Sequence, residues 1–153
     1  MPHITANGLE LFYDENGDRD KDTILLVMGL GAQMTLWPDE FVEALVGEGY
    51  HVVRYDNRDI GLSHKFEGAK APGLKMQVLR KMIRLPAKVP YSLKDTADDG
   101  MALLSALGID RARVVGASMG GMIAQLMAVN HGDRLHSLTS IMSSTGNPRL
   151  PQA

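Results

Sequence analysis

Apolar positions along the chain follow two different periods, and the alternation between them outlines the fold. Thr23 to Met28 (TILLVM) is a continuous apolar run, the pattern of a strand buried on both faces of a parallel sheet. His51 to Tyr55 (HVVRY), Arg113 to Gly116 and Leu138 to Met142 read as further strands. Between them the spacing becomes helical. Phe41, Val42, Leu45 and Val46 form one stripe behind Pro38, with Asp39 and Glu40 at the positive end of the helix dipole and Gly47 and Gly49 as its stop. Ala97, Met101, Leu104 and Leu107 form a second over about Asp95 to Leu107, with Gly108 placed as the C′ residue. Met119, Met122, Ile123, Leu126 and Met127 form a third over Met119 to Val129. Ahead of all these, His3 to Thr5 and Leu9 to Tyr13 flank Asn7-Gly8, a dipeptide suited to a tight primed hairpin turn. An antiparallel hairpin followed by strands alternating with helices predicts an α/β fold with a mainly parallel sheet.

The length of 153 residues suits one domain, and no Pro-, Gly- or Ser-rich linker divides it. Hydrophobic residues at 44% and charged residues at 22% describe an ordinary globular chain. A formal charge of -2 and the lack of any recognition motif argue against nucleic acid as a partner. With no cysteine there is no disulfide, thiol nucleophile or thiolate metal site. The polar N-terminus carries no signal-peptide core and no apolar run reaches the ~20 residues of a membrane span, so a cytoplasmic location is expected.

The chemistry concentrates at residues 114–123, VVGASMGGMI. By itself G-x-S-x-G is a weak signal. Its setting strengthens it: a strand ends at Gly116 and a helix begins by Met119, the strand–turn–helix context of a serine nucleophile on a strained turn. Gly116 and Gly120 would be needed because side chains there would collide with the adjoining strand and helix. Ser118 would then sit at a helix N-terminus, which favours an oxyanion forming beside it. A second element is the loop Gly29-Leu30-Gly31-Ala32-Gln33. Read as a dinucleotide fingerprint it fails at the third glycine, where Met34 stands, although Asp56 ends the next strand where a ribose-binding acid would be. Read as an oxyanion loop, it needs only backbone, with the N–H of Leu30 donating alongside that of Met119. A third reading is a glycine-rich connection without a role.

Three stretches together, LLVMGLGAQMTLWPDEF, RYDNRDIGLS and LLSALGIDRARVVGASMGGMIAQ, resemble the α/β-hydrolase fold family, and within it an esterase-like branch. The elbow is the most specific piece, and Asp56, Arg58, Gly61 and Ser63 of the D-x-R-x-x-G-x-S stretch are a second marker, chiefly structural in the family. Many relatives carry His-Gly where this chain has Met28-Gly29, a departure that a backbone donor tolerates. The resemblance implies a serine hydrolase that cleaves a small-molecule carboxylic ester through an acyl-enzyme on Ser118, with no cofactor or metal. It also implies chain order Ser, Asp/Glu, His. The 153 residues therefore look like the N-terminal part of one hydrolase domain, ending after about the sixth of eight strands, without the lid and the C-terminal strands.

The histidines present do not fill the gap. His51 and His136 precede parallel strands and belong at the sheet edge opposite Ser118, and His131 ends the helix that starts beside it. His3 starts the hairpin and is not placed by this reasoning, and His64 follows a strand at the correct edge but reads as an exposed loop residue. Ser143 to Asn147 offer no carboxylate, and Asp98 and Asp99 read as solvated or capping groups of a helix. Residues 64–91 hold seven Lys or Arg against Glu67, a local charge of +6, interleaved with apolar residues as in a basic amphipathic helix near the mouth of the site. Leu138 to Met142 would form an open sheet edge, a place for self-association or for a complementing chain. The alternative to an enzyme is a hydrolase-like polypeptide without catalysis that binds a ligand or a partner.

Overall fold

The computed structural model describes residues 2–68 and 89–146. Six strands form one sheet in the order β1-β2-β4-β3-β5-β6. β1 (His3–Ala6) and β2 (Leu9–Asn16) pair antiparallel across Asn7-Gly8, whose φ angles of 50° and 74° are those of the primed turn. β2 also pairs antiparallel with β4 (His51–Tyr55), while β3 (Thr23–Val27) pairs parallel with both β4 and β5 (Ala112–Ala117). β6 (Leu135–Ile141) extends the parallel ladder on the far side of β5.

Every residue of β3 and β4 is buried, as a central strand covered on both faces requires. Leu25, Val27, Val53, Tyr55 and Val114 meet Met101, Leu104, Ile123 and Met127 of α2 (Leu93–Ala106) and α3 (Met119–Asn130) on one face. Ile24, Leu26 and Val52 meet Trp37 and Val42 on the other, where α1 (Asp39–Gly47) lies. The helices thus segregate to opposite faces, and the carboxyl ends of β3, β4 and β5 share one open edge.

Four expectations change in detail. α2 starts at Leu93, because Ser92 caps it and Asp95 returns the bond to the Ser92 N–H. α3 buries Ile123 and Met127 of the expected stripe, with Met119 and Leu126 packed against the same core, and adds Gly120, Gly121 and Ala124, small residues the stripe did not include. β6 spans Leu135–Ile141 instead of Leu138 to Met142, and Met142 leaves the strand with φ 46°. Its start is masked in the sequence because most of its side chains are polar and exposed. Asp99 is the substantive correction. It is not solvated but 0% exposed, because α2 turns it inward against the loop after β4. Arg58 Nε donates to Asp99 Oδ2 and Nη2 to Oδ1, both at 2.6 Å, and Asn7 Nδ2 adds a third bond at 2.8 Å. Asp98 remains half-buried, between Lys94 and His131. Most of the basic stretch, residues 69–88, lies outside the described residues.

Candidate active site

Ser118 sits between β5 and α3 with φ 55° and ψ −122°, a conformation an L-residue holds at a cost of about 1–3 kcal/mol. Two backbone bonds hold it there: its N–H donates to Ile141 O at 2.9 Å, and its carbonyl accepts from Gly121 N–H at 3.0 Å. The side chain is exposed and does not cap the helix it precedes. Among the described residues nothing hydrogen-bonds its Oγ. The glycines now have specific reasons. A Cβ on Gly116 would overlap the Gly120 carbonyl, and one on Gly120 would overlap the Val27 carbonyl at the end of β3. Gly121 is equally constrained by Ser143, which the G-x-S-x-G pattern does not reveal.

Gly29 lies directly against the serine. A Cβ there would come within 3.1 Å of Ser118 Cβ and 3.6 Å of Ser118 Oγ. The loop then turns, with Ala32 N–H donating to Gly29 O at 3.4 Å and Gly31 at φ 70°. Leu30 is 78% exposed, and among the described residues no group accepts a hydrogen bond from the Leu30 or Met119 N–H. Both residues line a cavity of about 190 Å³ at this edge, together with Asn57, Arg58, Ile60, Tyr91 and Thr96.

Asp56 is the anchor of the loop. Its buried carboxylate accepts Met34 N–H at 2.7 Å through Oδ1 and Leu62 N–H at 3.0 Å through Oδ2. Both oxygens are thereby committed inside the protein, and a ribose-binding role for Asp56 falls away. Gly61 is required because a Cβ there would overlap the Asp56 carboxylate. Ser63 Oγ donates to Asp56 O and accepts Phe12 N–H, which ties β2 to the same turn. Arg58 continues the motif into α2 through Asp99. Burial disfavours its charge, but the hydrogen bonds and the charge of Asp99 outweigh this and raise its pKa. The guanidinium also lies 5.0 Å from the Tyr91 ring centroid and 5.6 Å from that of Phe66. Burial, then a hydrogen bond to Asp59, push the Tyr91 hydroxyl up to about 12.

All five histidines of the sequence are among the described residues, and none touches Ser118. His51 is buried and bridges Thr23 Oγ1 and Glu15 Oε2, each at 3.1 Å, a hydroxyl–imidazole–carboxylate chain with the look of a triad. It stands in register with Thr23 and Ala112, however, six residues along β5 from Ser118, or about 20 Å. Thr23 is itself buried, so no substrate reaches this chain of groups. His131 pairs with Asp98 at 3.1 Å past the end of α3, about 20 Å from Ser118 by helix rise. His136 sits near the start of β6, and the ring of His3 packs on Phe12 with centroids 5.1 Å apart. His64 bonds through its N–H to Glu10 O on β2, three strand positions or about 14 Å across the sheet from β5. No cluster of three or more His, Cys, Asp or Glu that could hold a metal occurs among the described residues. No described helix is long and apolar enough to cross a membrane.

The strand order, the serine at the strained strand–helix junction and the glycine loop pressed against it define the class. The chain belongs to the alpha/beta hydrolase fold family, whose model matches residues 22–152. Among curated relatives it is 34% identical over 139 residues to "Rhodomycin D methylesterase DauP" of Streptomyces sp. (strain C5), covering 91% of this chain and 41% of the relative. It is 34% identical over 121 residues to "Putative carbamate hydrolase RutD" of Caulobacter segnis, covering 79% of this chain and 38% of that one. Among solved structures, the enol-lactonase from Burkholderia xenovorans superposes with TM-score 0.68 at 30% identity, covering 88% of this chain and 44% of the lactonase. The chain thus spans about two fifths of the length of these proteins.

Proposed function

We propose that this polypeptide carries the nucleophile and the oxyanion hole of a serine hydrolase acting on a carboxylic ester of a small or medium apolar substrate. The observation that carries the reading is the combination at Ser118. A strained, exposed hydroxyl without a hydrogen-bond partner among the described residues stands against a glycine loop, beside the backbone N–H groups of Leu30 and Met119, likewise uncommitted among those residues. The relatives named above, a methylesterase, a putative carbamate hydrolase and a lactonase, support attack on an acyl carbonyl.

Ser118 Oγ would attack the ester carbonyl carbon while its proton passes to a base. The carbonyl electrons move onto oxygen, which the Leu30 and Met119 N–H groups and the N-terminus of α3 stabilise. Collapse of this intermediate expels the alcohol, which takes up the proton, and leaves an acyl-enzyme that water hydrolyses. The base and its orienting acid are assigned outside these residues, because none of the five histidines comes within reach of Ser118. That same observation favours a second reading, in which the polypeptide alone binds a ligand or a partner without turnover.

Labelling with a fluorophosphonate separates the two. The catalytic reading expects a covalent adduct on Ser118, found by mass spectrometry of the digested protein and lost in Ser118→Ala. Labelling that persists in Ser118→Ala, or no adduct on the wild-type chain or on that chain extended by a segment bearing an acid and a histidine, sinks it.

A further inference from the structure

The glycine loop that faces Ser118 hangs between two side chains that follow one another in sequence. At its far end Asp56 Oδ1 accepts the Met34 N–H at 2.7 Å. At its near end Asn57 Nδ2 donates to Met28 O at 2.9 Å, from a side chain only 2% exposed. Between these ties the loop's own bond, from Ala32 N–H to Gly29 O, is 3.4 Å long, beyond the ordinary range of about 2.7–3.2 Å. Gly29 adds little stiffness. It lacks a side chain because a Cβ would crowd Ser118, and the same lack leaves its two dihedrals loose. A peptide unit is planar, so whatever holds the Met28 carbonyl also holds the Gly29 N–H. Only the Gly29 dihedrals then separate that unit from the one carrying the Leu30 N–H. The Met28 carbonyl also lies against the first turn of α3, where a Cβ on Gly120 would stand 2.8 Å from it. It therefore meets both Asn57 and the residue that follows Met119, the second donor.

Stability does not account for Asn57. The Nδ2 bond fixes the amide orientation, since the reverse would set two acceptor oxygens against each other. Oδ1 is left over, buried without a partner among the described residues. An orphan buried acceptor costs at least as much as one ordinary hydrogen bond returns, so the side chain adds little to the net stability of the fold. We infer that Asn57 is a positioning residue. Through the Met28 carbonyl it fixes the orientation of the Leu30 N–H relative to that of Met119, and so preorganises the two donors for an oxyanion. It touches no substrate, and its effect passes through the backbone of Met28 and Gly29. Its catalytic meaning rests on the Ser118 reading, but the ordering of the loop is measurable without turnover.

Asn57→Leu is the test. It exchanges one orphan acceptor, Oδ1, for another, the Met28 carbonyl, which finds a new partner only if the loop turns. The urea midpoint should therefore stay near that of wild type, whereas loss of a side chain that merely supports the fold would lower it. Backbone amide order parameters of Gly29, Leu30 and Gly31, measured by NMR relaxation, should fall from about 0.85 toward about 0.6. The limiting rate of fluorophosphonate labelling at Ser118 should fall about 10- to 100-fold, with little change in the half-saturating concentration. Labelling is followed on the chain alone or carrying the added acid and histidine. Unchanged order parameters, an unchanged labelling rate, or a fall in labelling matched by a fall in the midpoint overturns the inference. Should Asn57→Leu fail to fold, Asn57→Ala removes the same donor without the bulk, and the order parameters and labelling rate decide. Loss of order in the variant with no adduct on the wild type keeps the loop assignment and removes the nucleophile. An adduct that forms equally fast in both proteins does the reverse.

Discussion

Replacing Asp99 with asparagine removes one charge from a place where water cannot substitute for it. Both carboxylate oxygens of Asp99 accept from Arg58, and Oδ1 also accepts from Asn7. An amide nitrogen in either oxygen position therefore meets donors, while Arg58, itself 7% exposed, loses its counter-charge. Removing one partner of a buried ion pair costs about 3–5 kcal/mol. Against a total stability of about 5–15 kcal/mol, that is at least about a fifth of what holds an ordinary domain together. At about 2–4 °C per kcal/mol for a chain of this size, the expected fall in Tm is about 6–20 °C. Urea denaturation is the direct assay, with the loss appearing in the midpoint at an unchanged slope. The double variant Arg58→Met with Asp99→Leu should recover most of the loss, since two apolar groups leave no charge stranded. An Asp99→Asn protein within about 1 kcal/mol of wild type, or a double variant no better than the single one, would refute the account.

Three further outcomes follow from other parts of the molecule. Gly120→Ala should cost about 3 kcal/mol in the same urea assay, because the new methyl group meets the Val27 and Met28 carbonyls and not a movable side chain. Ser118→Gly should raise stability by about 1 kcal/mol while abolishing fluorophosphonate labelling, since glycine accepts φ 55° without strain. Bonds from Ser92 to the Asp95 carboxylate hold its pKa below the usual range. The stabilisation this gives is complete above the unfolded value of about 4 and is lost as pH falls through the lower folded value. Asp95→Asn should flatten that part of the acid-stability curve.

Local patterns carried much of the architecture. TILLV is buried along its whole length, Asn7-Gly8 forms its turn, and the glycines at 116 and 120 clash where a side chain is imagined. Gly29 of the loop Gly29 to Gln33 packs on Ser118, and the dinucleotide alternative fails on the bonds that occupy Asp56. What stayed hidden depends on contacts distant in sequence. Asp99 reads like a solvated helix acid until Arg58, 41 residues earlier, is placed beside it. Asn57 sits inside the D-x-R motif, yet only the cavity and the Met28 bond distinguish it from a spacer. The Ser92–Asp95 capping box is a different case, a local signal that marks the start of α2 two residues before the apolar periodicity does.

The bond from Ser118 N–H to Ile141 O couples the serine's backbone to the docking of β6. The serine backbone is held at its inner end by a carbonyl that exists only once β6, the last described strand of the chain, has docked beside β5. Ser140 of β6 and Ser143 just after it also close on Gly121, so the elbow leans on this strand at a second point. The backbone conformation of Ser118 thus doubles as a readout of whether β6 is seated in the sheet.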